Sequence, residues 1–378
     1  YDVRGGDGME CLIDYSDVNI QYSTIYFGAI DRTTNHWQNA TNITPPDEGD
    51  WVTPFIIDPN NPNILYGGYN QLWKTEDRGD IWTQISTIDK AGRVRSIAAA
   101  PSDSRYLYVA DYEQIFKSTN GGDEWNNITG SLPTSSGTLE YIAVKYDDPN
   151  TLWVVLSGYS VPGVYESTDG GLSWNNISAG LPPIPAYSMV QNHQATDEVE
   201  LYLGTELGVY YKKGTSDWVP YNTGLPNVRT GEIEIYYASN PGETRLRAAS
   251  YGRGLWETPI EYEPTPMIFV SSTTVQKELS SVSPDQTNQE ILKIELVTNG
   301  NLSPFSATSF TFNTTGSTNP STDITNAKLF YTSTSSAFST ANQFGETIMA
   351  PDGEFIITGS QELGNGRNNF WLTYDIPA

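Results

Sequence analysis

The sequence predicts an all-β protein: a β-propeller over residues 1–261, built from units of roughly 44 residues, followed by a linker at 262–266 and a Ser/Thr-rich β-sandwich over 267–378. Three observations predict it. A short turn motif recurs, tryptophans recur with it at nearly constant spacing, and a polar Asp/Pro/Asn turn precedes each motif at a similar distance.

The motif is Ser/Thr-x-Asp/Asn-x-Gly-x-x-Trp. It occurs at Thr75, Asp77, Gly79 and Trp82, again at Ser118, Asn120, Gly122 and Trp125, and a third time at Ser167, Asp169, Gly171 and Trp174. Two worn copies flank these, from Asp31 to Trp37 and from Lys213 to Trp218. The five tryptophans Trp37, Trp82, Trp125, Trp174 and Trp218 fall 45, 43, 49 and 44 residues apart. A short Asp or Asn side chain accepts backbone N–H bonds inside a tight turn, the hydroxyl closes the same loop, and Gly supplies positive φ. The Trp then opens an outer strand and buries a large apolar surface between sheets. The upstream turns, such as Asp58-Pro59-Asn60 and Asp148-Pro149-Asn150, complete units of four strands. Six units are countable, the last ending at Tyr251-Gly252-Arg253-Gly254-Leu255-Trp256 without a motif; a ring of seven or eight is the alternative. If the folded region opens at Tyr1, the opening residues are expected to complete the last sheet.

Two prolines at Pro264 and Pro266 mark the linker, since neither suits a central strand. Beyond it, alternating segments predict strands at Glu290–Val297, Ser309–Phe312, Ala327–Thr332, Glu354–Thr358 and Asn369–Tyr374.

The turn motif resembles the Asp-box of sialidase-type and related propellers. Together with Gly5-Gly6-Asp7-Gly8 and Ser250-Tyr251-Gly252-Arg253-Gly254-Leu255-Trp256, it is similar to glycosyl-hydrolase-like propellers of secreted Bacteroidetes proteins. The segments Asp323–Thr332, Gln343-Phe344-Gly345 and Asn369–Ile376 look like a domain that accompanies such repeats. The resemblance implies a bacterial protein, secreted or held at the cell surface, commonly exported by the type IX route with a C-terminal sorting domain that these residues do not contain. It also implies further domains of the same chain. The start at Tyr1 and the ending at Ala378 read as those of a fragment.

Composition narrows the function. Lys and Arg number 20 against 45 Asp and Glu, a formal charge of −25, which argues against nucleic acid and anionic membrane as partners. No apolar stretch approaches the roughly 20 residues of a membrane helix. The single cysteine, Cys11, excludes an internal disulfide and, beside Met9, Leu12 and Ile13, reads as a buried structural thiol. The only histidines, His36 and His193, stand in unlike contexts, so no metal site is predicted. No cofactor is predicted either; calcium would need converging Asp and carbonyl oxygens, and no EF-hand-like run exists.

For chemistry, a sialidase needs an Arg-Ile-Pro motif and three pocket arginines. The motif is missing, Arg78 and Arg105 lie in outer turns, and the pairs Arg93/Arg95 and Arg245/Arg247 have the period-2 spacing of ladder or salt-bridge roles. A xyloglucan-degrading glycosidase would instead need two carboxylates, about 5–5.5 Å apart for retention or about 6.5–9.5 Å for inversion. Candidates in loops leading into the sheets are Asp7 and Glu10, then Asp47, Glu48 and Asp50 before Trp51. The surface aromatics Trp51, Tyr69, Tyr112 and Tyr159 are candidates to stack on a sugar. The reading that follows is an exported, non-catalytic module that binds a glycan or protein ligand, with a glycoside hydrolase as the alternative.

Overall fold

The structure, a computed structural model, describes residues 5–159, 163–195, 197–238, 241–260, 265–276 and 282–378. The chain divides into two compact units, residues 1–262 and 263–378. Most of the expected linker, Tyr262 to Pro264, lies outside the described residues.

The first unit is a series of antiparallel sheets, each running in chain order from an inner strand outward. Sheet 1 holds β1 (Gly8–Ile13), β2 (Gln21–Ile25), β3 (Ala29–Thr33) and β4 (Thr41–Asn42). Sheet 2 holds β5 (Phe55–Ile57), β6 (Leu65–Gly68), β7 (Leu72–Thr75) and β8 (Thr83–Gln84). Sheet 3 holds β9 (Ser96–Ala99), β10 (Leu107–Ala110), β11 (Ile115–Ser118) and β12 (Asn126–Asn127). Sheet 4 holds β13 (Thr138–Val144), β14 (Leu152–Ser157), β15 (Val164–Ser167) and β16 (Asn175–Asn176). Sheet 5 holds β17 (Ala186–Asn192), β18 (Glu200–Thr205), β19 (Gly208–Lys213) and β20 (Val219–Pro220). Sheet 6 has three strands among the described residues, β21 (Thr230–Tyr236), β22 (Arg245–Ser250) and β23 (Gly254–Pro259). The fold is all-β and of propeller type, with sheets at the six units counted in the sequence.

The turn motif works as its residue types require. Thr75 Oγ1 accepts the Gly79 amide at 3.0 Å, and Asp77 Oδ1 accepts the Ile81 amide at 2.9 Å. Ser118 with Asn120 and Ser167 with Asp169 repeat both bonds. Hydrogen bonds from the Ser173 hydroxyl and amide pull the Asp169 carboxyl down to about 2.

Each motif also fastens its sheet to the one before it. The indole N–H of Trp82 donates to Ile43 O at 2.6 Å, Trp125 to Ile85 O at 2.9 Å, Trp174 to Ile128 O at 2.9 Å and Trp218 to Ile177 O at 2.8 Å. The same isoleucines press on the motif glycines. A Cβ on Gly79 (φ +102°) would meet Ile43 Cδ1 at 2.5 Å, and one on Gly122 (φ +106°) would meet Ile85 Cδ1 at 2.8 Å. Gly171 stands against Ile128 in the same way. Separate apolar cores fill the five spaces between consecutive sheets, for example Tyr22, Phe55 and Leu65 between sheets 1 and 2, and Trp153, Met189 and Leu203 between sheets 4 and 5.

The worn copy at Trp37 corrects the expected spacing. Trp37 N donates to Thr33 Oγ1 at 2.9 Å, and Asn39 N to Asn35 Oδ1 at 2.9 Å. Trp37, at φ +62°, therefore occupies the motif's glycine position, and Ala40 stands where Trp82 stands in sheet 2. Its indole donates to Gln21 Oε1 of its own sheet at 2.7 Å.

Sheets 1 and 6 each leave one face outside the stack. The second strands β6, β10 and β18 are buried throughout, and β14 from 152 to 156, because both faces meet a neighbour. In β2 and β22 burial alternates instead. The expected closure of the last sheet by the opening residues falls in part on Tyr1 to Arg4, which lie outside the described residues; among the described ones, Gly5 to Asp7 join no strand. Cys11, expected to be buried, is exposed; it lies on β1 and pairs with Ser23 of β2.

In the second unit, one sheet has the order β24 (Ile268–Val275), β25 (Gln289–Asn299), β30 (Gly366–Asp375), β27 (Asn326–Tyr331), β28 (Gln343–Met349). A second pairs β26 (Ser306–Asn313) with β29 (Glu354–Glu362). Both feed one core, with Ile294, Leu329 and Phe370 from the first sheet and Phe312, Phe355 and Ile357 from the second.

The joint predicts a contrast between adjacent glycines. Gly121→Ala, at φ +77° with open space around the new methyl, is expected to cost about 1 kcal/mol of backbone strain. Gly122→Ala adds a collision with Ile85 and is expected to cost about 2–4 kcal/mol. Urea unfolding of the two variants checks this; equal losses would contradict the joint.

Candidate functional site

The loops that join one sheet's last strand to the next sheet's first strand lie at one end of the propeller axis, with the β2–β3-type hairpins. Here Tyr26 and Phe27, in the turn between β2 and β3, meet the loop between β4 and β5. Phe27, at φ +62°, donates its amide to Trp51 O at 3.4 Å, and Gly49 N donates to Phe27 O at 3.2 Å. This clamp stacks Tyr26 on Trp51 with centroids 5.4 Å apart and planes at 18°, and sets Phe27 edge-on to the same indole at 5.4 Å. All three rings remain open to solvent, at 37%, 41% and 48% exposure for Tyr26, Phe27 and Trp51. Gly6, ahead of Asp7, lies against Ile25 and the Tyr26 ring, so the exposed Asp7 follows a segment that borders this cluster.

Charged groups bracket the rings. The Tyr112 hydroxyl donates to Asp50 Oδ2, and Trp51 N donates to Asp50 Oδ1 at 2.8 Å. Burial raises the Asp50 carboxyl, but the Tyr112 and Trp51 bonds and the guanidinium groups of Arg95 and Arg93 outweigh it, so Asp50 sits below the ordinary value. Arg93 donates to Gly49 O at 2.6 Å and pairs with Glu48 at 3.1 Å. Arg95 pairs with Glu140 at 2.6 Å and lies 5.6 Å from the Tyr112 centroid. Arg93 and Arg95 thus serve ion pairs, although both precede β9. Asp47 accepts the Trp73 indole at 3.0 Å and Asn70 Nδ2 at 2.8 Å. Further round the rim, exposed Tyr159 neighbours Tyr187, whose hydroxyl donates to Glu206 and whose ring lies 4.0 Å from the Arg229 guanidinium.

The structure therefore joins three sequence candidates, Asp50, Trp51 and Tyr112, in one cluster. It adds Tyr26, Phe27, Arg95 and Glu140, which the sequence reading missed. Tyr69 is a correction: it is fully buried, not a surface ring, because its side chain tucks beneath the β2–β3 turn and its hydroxyl donates to Gly28 O at 2.5 Å.

Glu10 lies on the innermost strand of sheet 1. Burial first, then nearby Glu234, raise its carboxyl above the ordinary value, against the pull of Arg95. On β21, burial followed by Glu10 and Glu234 pushes Glu232 up to about 8. Glu232, Ile233, Glu234 and Ile235 line an axial cavity of about 370 Å³ that runs toward the ends of the first strands, past Tyr141 and Val190 to Tyr146, His193 and Tyr237. Among the described residues, no group of three His, Cys, Asp or Glu is placed to hold a metal ion.

A pH dependence follows from Glu232. Folded chains hold its proton up to about 8, whereas unfolded chains release it near the ordinary 4.5. The resulting stabilisation is complete below 4.5 and is lost as pH rises through 8. Glu232→Gln is expected to flatten that decline, so that wild type and variant differ more at pH 9 than at pH 6 in thermal melts; parallel curves would contradict it.

No family model and no curated protein matches the chain. Solved structures do. An ancestral GH74 enzyme aligns with a TM-score of 0.55 and 18% identity over 68% of this chain and 37% of its own. The GH74 enzyme of Niastella koreensis aligns with a TM-score of 0.50 and 15% identity over 94% of this chain and 65% of its own. The GH74 xyloglucanase of Xanthomonas campestris aligns with a TM-score of 0.49 and 15% identity over 69% and 46%. The chain spans less than two thirds of the length of each of these enzymes. At these identities the likeness shows the fold alone: an all-β propeller, of the kind on which those glycoside hydrolases are built.

Proposed function

We propose that the propeller unit binds an extended polysaccharide along the rim where Tyr26, Phe27, Trp51 and Tyr112 lie, as part of an exported or cell-surface bacterial protein. The observation that carries this is the clamped Tyr26–Trp51 stack, a flat and exposed aromatic surface held in place before any ligand arrives. Such a platform suits the C–H faces of pyranose rings and loses little conformational freedom on binding. The carboxylates around it are already engaged: Asp47, Glu48, Asp50, Glu140 and Glu206 each have a donor. Oriented oxygen acceptors of this kind take sugar hydroxyls without further rearrangement.

Hydrolysis is the second reading, and a specific arrangement favours it. Glu10 is raised and Asp50 lowered, and both lie in the field of Arg95. Two carboxyl groups driven apart in this way suit a general acid and an ionised base or nucleophile. The fold-level likeness to GH74 enzymes agrees with this reading.

Affinity electrophoresis through xyloglucan and a panel of other soluble polysaccharides tests the first reading. Wild type is expected to be retarded by at least one glycan, and Trp51→Ala to bind it about tenfold more weakly or worse. Equal retardation of both, or none by any glycan, would reject it and leave a protein ligand. Reducing-end release from the bound glycan tests the second reading: Glu10→Gln and Asp50→Asn are each expected to lose product by about 100-fold or more. Turnover that survives both substitutions would exclude these residues.

A further inference from the structure

At the other end of the axis, the rim cluster and its ligand reading play no part. There the first strands β13, β17 and β21 finish, and the residues that follow them sit one sheet apart at equivalent positions. Tyr146 follows β13, His193 follows β17 and Tyr237 follows β21. The three rings form a column: Tyr146 and His193 have centroids 4.3 Å apart at 21°, and His193 and Tyr237 3.7 Å apart at 24°. Hydrogen bonds fix the column. Gln191 Oε1 accepts the Tyr146 amide at 2.9 Å, the Tyr237 hydroxyl donates to Gln191 O at 3.0 Å, and His193 N donates to the Tyr237 oxygen at 3.1 Å.

This column forms one wall of the 370 Å³ cavity; Tyr141, Val144 and Val190 form another, and Glu232 and Glu234 contribute its carboxylates. Among the described residues the lining holds no Lys or Arg. Burial pushes His193 down to about 4, so its imidazole is neutral at ordinary pH and adds no positive charge. The cavity is thus an aromatic and aliphatic chamber with negative character, large enough for a ligand of a few heavy atoms.

We propose that this cavity binds an organic cation, an ammonium group on a short aliphatic stem, with the charge held by Glu232 and Glu234 and the stem against Tyr141, Val144 and Val190. Three considerations choose the ligand class. Glu232 and Glu234 are the acidic groups of the lining, and carboxylates with no lining cation among the described residues attract a positive charge. An anion would meet only carboxylates and ring edges. A bare metal ion needs several oxygen ligands at about 2.0–2.6 Å, and the acidic side chains here are not gathered for that. An ammonium ion, longer and less demanding in geometry, bridges groups that are spread along a strand.

The groups that face Glu232 define a pH dependence. They are Glu234 on its own strand, Glu10 from β1 and Tyr141 from β13, while Arg95 acts on Glu10. Repulsion among these carboxylates, added to burial, keeps Glu232 protonated; a bound ammonium relieves it and displaces the proton. Binding therefore tightens as pH rises toward 8 and levels off above it.

Titration calorimetry of the full chain with putrescine, at constant ionic strength and at pH 6.5 and 8.5, tests this. Saturable 1:1 binding is expected, about tenfold tighter at the higher pH. Glu234→Gln, a change at an exposed strand position, is expected to weaken it about tenfold. Glu113→Gln, an exposed acid on the opposite rim, controls for the attraction of any cation to so acidic a chain and is expected to leave affinity unchanged. Circular dichroism checks that each variant folds. No saturable binding by folded wild type, or equal weakening by Glu113→Gln and Glu234→Gln, overturns the proposal. Because Glu234→Gln leaves the glycan rim untouched, glycan binding by this variant reports separately on the polysaccharide reading.

Discussion

One contact repeats through the propeller unit and the rest of it depends on that contact: an isoleucine at the end of one sheet receives the turn motif of the next. Its carbonyl accepts the Trp indole, and its side chain covers the motif glycine. Neither half suffices alone. The hydrogen bond is worth about 1 kcal/mol net, while the apolar contact lacks direction. Together they fix the separation and rotation of neighbouring sheets at the periphery, and the five apolar cores fill the space that results.

A joint of this kind explains why the ends of the stack differ from its middle. Sheet 1 puts Trp37 in the glycine position and Ala40 in the tryptophan position, so its turn lacks both halves of the joint. Sheet 6 has no motif, and the Trp256 indole donates to Arg253 O within its own hairpin. Peripheral joints also free the inner strands from structural duty. Their side chains can be ionisable, as those of Glu10, Glu140 and Glu232 are, because the cohesion lies elsewhere. The rim loops gain the same freedom and carry Tyr26, Trp51 and Tyr112.

Much of this was legible in the sequence, but unevenly. The fold class followed from the tryptophan spacing and the motif turns, whose hydrogen bonds depend only on local residue types. The joint itself was also written there and was missed: Trp82, Trp125 and Trp174 are each followed three residues later by an isoleucine and then a hydroxyl residue. Those hydroxyls of Ser86, Thr129 and Ser178 accept the first amide of the third strand. Trp37 was misplaced because spacing alone does not fix register, and a three-residue offset is invisible without the hydrogen bonds. Cys11 and Tyr69 were misjudged because burial of a strand or turn residue depends on whether another sheet covers it. The site was legible only in part. Asp50 and Trp51 stood out as an acidic loop beside an aromatic ring, yet their partners lie in other sheets. Arg95 meets Glu140 across 45 residues, one repeat, and Tyr112 reaches Asp50 across 62. Pairs at one-repeat separation are the signal that could have found the first of these.

A double-mutant cycle on a single joint tests the account most directly. Trp125→Phe removes the indole donor, Ile85→Ala removes the side chain that covers Gly122, and the double variant closes the cycle in urea unfolding. The two substitutions are expected to be coupled by about 1 kcal/mol or more, since each disturbs the seat the other needs. Losses that simply add, to within about 0.3 kcal/mol, would show that carbonyl and side chain act separately and that the sheets are held by their cores alone.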